Sequence, residues 1–136
     1  MASSGRPGPV VLVTPEDMLT QITNVKVPSL SPVIKGEMPL KGLNALIENF
    51  KKSKKPLFII GGSGWTNESF SKFHYFINKN KIPVATSFRR QDLFEHKNEN
   101  FVGSFGTSVS PKLIASAKSS DLIVVLGARL GEMTTQ

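Results

Sequence analysis

Residues 56–64 read PLFIIGGSG. The apolar run Leu57, Phe58, Ile59 and Ile60 has the length and composition of a strand that is buried on both faces of a parallel sheet. The glycine-rich segment after it indicates a tight turn, since glycine adopts the positive φ angles that such turns require. The stretch therefore predicts a central strand followed by a turn into the next element.

Helices are predicted on both sides of this strand. Before it, one helical face starting after Pro39 carries Leu43, Leu46, Ile47 and Phe50. After it, Thr66 is a candidate N-cap. The apolar face of that second helix is predicted to consist of Phe70, Phe73 and Ile77.

Strands and a third helix are predicted further along the chain. Strands are expected at residues 83–86, 101–104 and 122–126, the second of these after a polar loop over residues 89–100. Ser110 is expected to cap a helix with Pro111 at its first position. The buried stripe of that helix is predicted to consist of Leu113, Ile114 and Ala117.

The alternation of strand and helix predicts an α/β fold with a doubly wound, Rossmann-like parallel sheet. Strand four is expected beside strand one, as in the order 3-2-1-4-5-6. Because two strands of that order would follow residue 136, we expect a domain truncated at its C-terminal end. The outer edge of strand four would then be unpaired and prone to association.

The first part of the chain has a different composition. Val10, Val11, Leu12 and Val13 form a β-branched run that predicts a short buried strand. Residues 19–38 are rich in proline and serine with little periodicity, which is typical of a linker. The predicted division is residues 1–18, a linker at residues 19–38, and a domain at residues 39–136.

Composition excludes several classes of protein. The chain has no cysteine, so disulfides and thiolate metal sites are excluded. It contains neither an apolar run long enough to cross a membrane nor a secretory signal, so we expect a cytoplasmic protein with no membrane partner. The net charge of +7 leaves nucleic-acid binding open as an alternative, although lysines 51, 52, 54 and 55 can equally offset a helix dipole.

Glycines and arginines at the carboxyl ends of the strands suggest an anion site, because ligands of open parallel sheets bind there. Arg89 and Arg90 follow the second strand and Arg129 the fourth. The dinucleotide fingerprint is incomplete, since Asn67 stands at the position of its third glycine. The alternatives are that the glycines only shape a turn and that the arginines pair with Asp92, Glu95 or Glu132 or contact another domain.

The two histidines suggest no chemistry. His74 is expected to be a partly buried helix residue, and His96 a solvated loop residue. No catalytic residue and no metal site can be assembled from the motifs.

Residues 5–17 read GRPGPVVLVTPED, residues 88–94 read FRRQDLF, and residues 121–135 read DLIVVLGARLGEMTT. Together with residues 56–64, and in this order, they resemble the acetolactate synthase-like branch of thiamine diphosphate (TPP) enzymes. Residues 5–17 resemble the end of the pyrimidine-binding domain. The other stretches resemble a central domain.

The resemblance implies a fragment of a TPP- and magnesium-dependent enzyme for 2-oxo acid decarboxylation and carboligation. The fragment would be inactive alone, because the activating glutamate and the metal-binding motif belong to pyrimidine- and pyrophosphate-binding domains that this sequence lacks. The parent is expected to be a homo-oligomer, a dimer or tetramer, without nucleic acid.

In some relatives the central domain carries FAD or ADP as a structural nucleotide. The residues that match nucleotide-contacting segments are Gly61, Gly62, Ser63, Gly64, Arg89, Gly103, Gly106, Thr107, Gly127 and Arg129. Flavin-containing synthases follow the arginine with phenylalanine and paired aspartates, whereas this sequence has Leu130, Gly131 and Glu132. The alternative function is a self-contained module that binds FAD, NAD or ADP.

Overall fold

The structure is a computed structural model that describes residue 2, residues 8–29, residue 32 and residues 36–135. It divides into two units, Met1–Pro39 and Leu40–Gln136. Some residues of the motif at 5–17 and of the predicted linker lie outside the described residues. These are residues 5–7, 30, 31 and 33–35. The two units are therefore considered separately.

The described part of the first unit contains one short 3-10 helix, Glu16–Thr20. The predicted strand at residues 10–13 is wrong: these residues are not in a strand, and Val11 is 84% exposed. A strand is stable only when its backbone pairs with another strand, and the described part of this unit has none. A β-branched composition without a partner does not make a strand.

A four-stranded parallel sheet organises the second unit, in the order β3-β2-β1-β4. This confirms the predicted doubly wound α/β class and the place of strand four beside strand one. The register pairs Phe58 of β1 with Val84 of β2 on one side and with Val124 of β4 on the other. The strands are β1 (Pro56–Ile60), β2 (Val84–Thr86), β3 (Phe101–Ser104) and β4 (Leu122–Leu126).

Four α-helices connect or flank these strands, and a 3-10 turn, Gln91–Leu93, lies between β2 and β3. Thr66 caps the second helix as predicted, in a reciprocal capping box with Ser69. Ser110 precedes Pro111 at the start of the third helix, although its side chain makes no capping hydrogen bond. The helices are α1 (Leu40–Lys52), α2 (Asn67–Asn80), α3 (Pro111–Ser119) and α4 (Glu132–Thr135).

Alternate side chains of β1 pack into two hydrophobic cores, one on each face of the sheet. Phe58 and Ile60 pack with α2, while Leu57 and Ile59 pack with Leu113 of α3. The Phe58 ring lies about 6 Å from three other phenylalanine rings, at positions 50, 73 and 76. Burial on both faces explains the uninterrupted apolar run.

One prediction for α3 is wrong. Leu113 is buried as expected, but Ile114 is 40% exposed. Consecutive helix residues are about 100° apart around the axis, so a helix lying on one face of a sheet cannot bury both equally. The stripe that faces the sheet contains Leu113 and the half-buried Ala117.

Asp121 links the end of α1 to the start of β4. Its carboxylate accepts hydrogen bonds from the Ser53 hydroxyl and from the amides of Lys54 and Lys55, the latter two at 2.8 and 2.9 Å. The Ser53 hydroxyl, followed by the Lys54 amide, lowers the pKa of Asp121 from 3.8 to about 2. The loop before β1 is thus held to the loop before β4, which supports the pairing of the two strands.

This arrangement predicts a pH-dependent stability. Because folding lowers the pKa of Asp121, its ionised form stabilises the fold above pH 3.8, and that contribution disappears as the pH falls through about 2. We expect Asp121→Asn to lower the melting temperature at pH 6 and to flatten its decrease between pH 3.8 and 2. Glu99→Gln is the control, because the Glu99 carboxylate is exposed and has no hydrogen-bond partner among the described residues. Its melting temperature should change with pH as that of the wild type does. If the melting temperatures of the wild type and Asp121→Asn fell in parallel between pH 3.8 and 2, the stabilising role of ionised Asp121 would be contradicted.

Candidate functional site

The turns after β1, β2 and β4 meet at the carboxyl edge of the sheet. The Gly61 amide donates to the Leu126 carbonyl at 3.0 Å, and the Ser87 amide donates to the Ile60 carbonyl at 2.8 Å. These bonds extend the strand pairing into the turns. The candidate site is therefore built on backbone that the sheet itself holds in place.

The glycines of these turns are in direct contact. A Cβ on Gly62 would overlap the Gly127 carbonyl, and a Cβ on Gly61 would overlap the Ser87 side chain. Gly62 and Gly127 also have positive φ angles, 67° and 66°. Here the structure supports the turn-packing explanation of the glycines: they let two loops touch at the point between β1 and β4.

Side chains occupy the space beside this contact. The indole Nε1 of Trp65 donates to the Gly61 carbonyl at 2.9 Å, and the ring lies 5.5 Å from that of Phe73. At the start of α2, the Ser69 amide donates to the Thr66 hydroxyl at 3.1 Å. A phosphate at this helix terminus would compete with the Thr66 cap for that amide.

The three arginines have different surroundings. Arg90 forms two hydrogen bonds to Asp92, at 3.0 and 3.1 Å, which lower the pKa of that carboxyl group. Arg89 is exposed, with its guanidinium 5.0 Å from the centre of the Phe88 ring and a φ of 60°. Arg129 is exposed and has no ion-pair partner among the described residues.

A shallow cavity of about 340 Å³ lies at this edge. Arg90 and Arg129 line it together with Ser87, Phe88 and the start of α4. Of the ten candidate nucleotide residues, only Gly62 and Arg129 line this cavity. Ser87 lies outside the quoted motifs, and α4, although it lies within the motif at residues 121–135, was not among the predicted site residues.

The other candidate residues lie elsewhere on the same edge. Gly103 is in β3 with a φ of 124°, and a Cβ on Gly106 would meet the Phe88 ring. Ser63, Gly64 and Thr107 are exposed. The structure thus places Gly103 inside β3, where it pairs with Ala85, and does not arrange these residues around a single concavity.

Both histidines lie in aromatic surroundings. The His74 ring lies 4.3 Å from the Phe70 ring and 4.3 Å from the Phe94 ring, and its buried Nε2 has no hydrogen-bond partner among the described residues. His96 is exposed, stacks on Phe101 at 4.7 Å, and has Nε2 2.9 Å from the Gln91 carbonyl. Within the described part of the chain, no three His, Asp or Glu side chains are grouped as metal ligands.

The residues present do not fit a dinucleotide. Its pyrophosphate would cross the sheet between the turns of β1 and β4, where Gly62 touches Gly127 and Trp65 fills the adjoining space. The cavity of about 340 Å³ is at the small end of the range for ligand pockets. The cavity presents one positive and one negative side chain, Arg129 and Glu132, that have no ion-pair partner among the described residues.

Comparison of the amino-acid sequence with known protein families gives a match that covers the whole sheet. Residues 43–136 match the family described as "Thiamine pyrophosphate enzyme, central domain". The chain belongs to this family. The match covers β1 to β4 and agrees with the resemblance that the motifs at residues 56–64 and 121–135 indicated.

Several relatives are similar to this TPP enzyme central domain over nearly its whole length. The acetolactate synthase large subunits of Haemophilus influenzae and of Buchnera aphidicola subsp. Schizaphis graminum are each 29% identical to it, over 99% of the chain. A sulfoacetaldehyde acetyltransferase of Alcaligenes xylosoxydans is 28% identical over 94% of the chain. The chain spans about a quarter of the length of the first two relatives and 21% of the third.

No helix among the described residues of this TPP enzyme central domain is both long and apolar enough to cross a membrane.

The contact between the two glycine turns can be tested by adding a methyl group. Gly62→Ala should lower the free energy of unfolding by about 3 kcal/mol, because it combines an unfavourable positive φ with overlap on the Gly127 carbonyl. Gly64→Ala is the matched control: its φ is 91°, but a Cβ there meets nothing within 4 Å. We expect it to cost only about 1 kcal/mol. Equal losses in urea unfolding would show that the two turns do not pack as described.

Proposed function

We propose that this chain is a fragment of a TPP- and magnesium-dependent enzyme that resembles acetolactate synthase. Residues 1–18 would be the end of its pyrimidine-binding domain, residues 19–38 a linker, and residues 39–136 its central, non-catalytic domain. The observation that carries the proposal is the family match over the entire sheet, residues 43–136. The synthase relatives are about four times longer than the stretch they share with this chain. The catalytic groups of the whole protein would then lie in the remaining length.

The reaction proposed for the whole protein is decarboxylation and carboligation of a 2-oxo acid. When bound, TPP supplies an electron sink for breaking or forming a carbon–carbon bond beside a carbonyl. The residues of this chain take no part in that step in our proposal. Their role is to hold the other domains at fixed positions. The rigidity for this role comes from β1, which is hydrogen-bonded to a strand on each side, and from the hydrogen bonds of Asp121.

We further propose that this central domain works without FAD or ADP. Gly61, Gly62 and Gly127 form the contact between the turns. At the start of α2, the Thr66 hydroxyl accepts the hydrogen bond of the Ser69 amide. A self-contained nucleotide-binding module would need those groups for phosphate. The same contacts therefore argue against the alternative function.

The carboxyl edge of the sheet is the surface that we propose for contact with the pyrimidine- and pyrophosphate-binding domains. Leu130 and Met133 are partly exposed there, at 51% and 38%, beside the unpaired Arg129. A mixed apolar and charged surface is typical of contacts between domains. A homo-oligomer, cytoplasmic location and magnesium dependence complete the proposal for the whole protein.

The proposal predicts different results for the chain and for a longer gene product. The 136-residue chain should release no CO₂ from pyruvate with TPP and Mg²⁺, and should show no saturable binding of FAD or ADP in calorimetric titrations. The product of the surrounding gene, with the flanking coding sequence included, should release CO₂ only when TPP and Mg²⁺ are both present. Tight FAD or ADP binding by the chain would favour the nucleotide-binding module, and an inactive longer product would contradict the enzyme assignment.

A further inference from the structure

A second pocket lies at the opposite end of the sheet, where the parallel strands begin. Its volume is about 400 Å³, and it is bounded by the starts of β1 and β2 and by the last turns of α2 and α3. No aromatic side chain lines it. The polar side chains that define this amino-end pocket are Lys54, Lys55, Asn80, Lys81, Ser116, Ser119 and Ser120.

The three lysines of the amino-end pocket have no ion-pair partner among the described residues. The described ion pairs are Lys51 with Glu48, Lys72 with Glu68, and Arg90 with Asp92. Three like charges around one concavity repel each other, and each additional opposite charge placed between them relieves that repulsion. The pocket therefore favours an anion.

Asp121, beside this pocket, does not pair with these ammonium groups. Its two oxygens accept from the Ser53 hydroxyl and from the backbone amides of Lys54 and Lys55. It contributes one negative charge but leaves the lysine side chains without a bonded partner. Their donors are available to a ligand.

Offsetting the helix dipoles does not account for all the lysines. The C-termini of α1, α2 and α3 each carry about half an elementary negative charge, which amounts to about one and a half charges together. With Asp121 the opposing charge is about −2.5, against +3 from the three lysines that line the pocket. Lys79 and Lys118, in the last turns of α2 and α3, raise the positive total to +5. The positive charge therefore exceeds what the helix ends require.

The backbone of Lys81 supports a role for its side chain. Lys81 follows α2 in the left-handed conformation, with φ 51° and ψ 46°. Glycine or asparagine usually occupies this position, because other side chains are strained there. Strain retained at a charged residue that lines a pocket is typical of a functional position.

We propose that the amino-end pocket binds a compact polyphosphate anion of the size of pyrophosphate. Lysine ammonium groups bind phosphate as point charges. The Ser116 hydroxyl has no hydrogen-bond partner among the described residues, whereas the Ser119 and Ser120 hydroxyls both donate to the Ser116 carbonyl at 3.0 and 2.8 Å. Ser116 is thus the hydroxyl available to donate to a phosphate oxygen. Because the lining has no aromatic ring, a nucleoside base is not recognised.

The test is calorimetric titration of the 136-residue chain with inorganic pyrophosphate at about 0.15 M salt, where exposed charges are screened beyond about 8 Å. We expect saturable binding by the wild type and binding at least tenfold weaker by Lys81→Gly. Glycine adopts the left-handed conformation without strain, so this variant should melt no lower than the wild type. A loss of binding would then not be a loss of folding.

Lys112→Ala is the matched control. Lys112 is an exposed lysine in the first turn of α3, at the other end of that helix, and it should bind pyrophosphate as the wild type does. ADP, whose diphosphate is esterified to a nucleoside that the pocket does not recognise, should show no saturable binding. The proposal is overturned if the wild type shows no saturable binding, if Lys81→Gly binds like the wild type, or if Lys112→Ala loses as much affinity as Lys81→Gly.

Discussion

The position of β1 is the constraint on which the second unit depends. This strand is buried on both faces and pairs with β2 along one edge and β4 along the other. At its carboxyl end, Gly61 and Gly62 touch the loops that follow β2 and β4. Because each of these contacts involves a different element, no neighbour of β1 can shift without loss of packing or pairing.

The two ends of the sheet consequently have different properties. At the carboxyl end, contacts between turns leave a shallow cavity in which Arg129 and Glu132 have no ion-pair partner among the described residues. At the amino end, lysines line a somewhat larger cavity, and their ammonium groups have no ion-pair partner among the described residues. This asymmetry is the basis of our two proposals, contact with neighbouring domains at the carboxyl end and an anionic ligand at the amino end.

The sequence predicted the sheet well because its signals are local. Apolar runs at β1 and β4 and the Thr66 cap depend on neighbouring residues only. Val10 and Ile114 were misassigned because their burial depends on partners that composition does not reveal. Within the site, the glycine turns could be located, but the contact of Gly62 with Gly127 joins loops 65 residues apart and has no local signal. The lysine pocket likewise forms only when α2 and α3 end beside the starts of β1 and β2.

Native-state amide hydrogen exchange measured by NMR tests the central position of β1 most directly. The Phe58 amide donates to Pro83, the Gly61 amide to Leu126, and the Ser87 amide to Ile60. These three amides should be among the slowest to exchange in the chain, because their hydrogen bonds break only when the whole sheet unfolds. The Ile22 amide, in the exposed first unit, should exchange at close to the rate of an unfolded chain. Similar rates for all four would contradict the account.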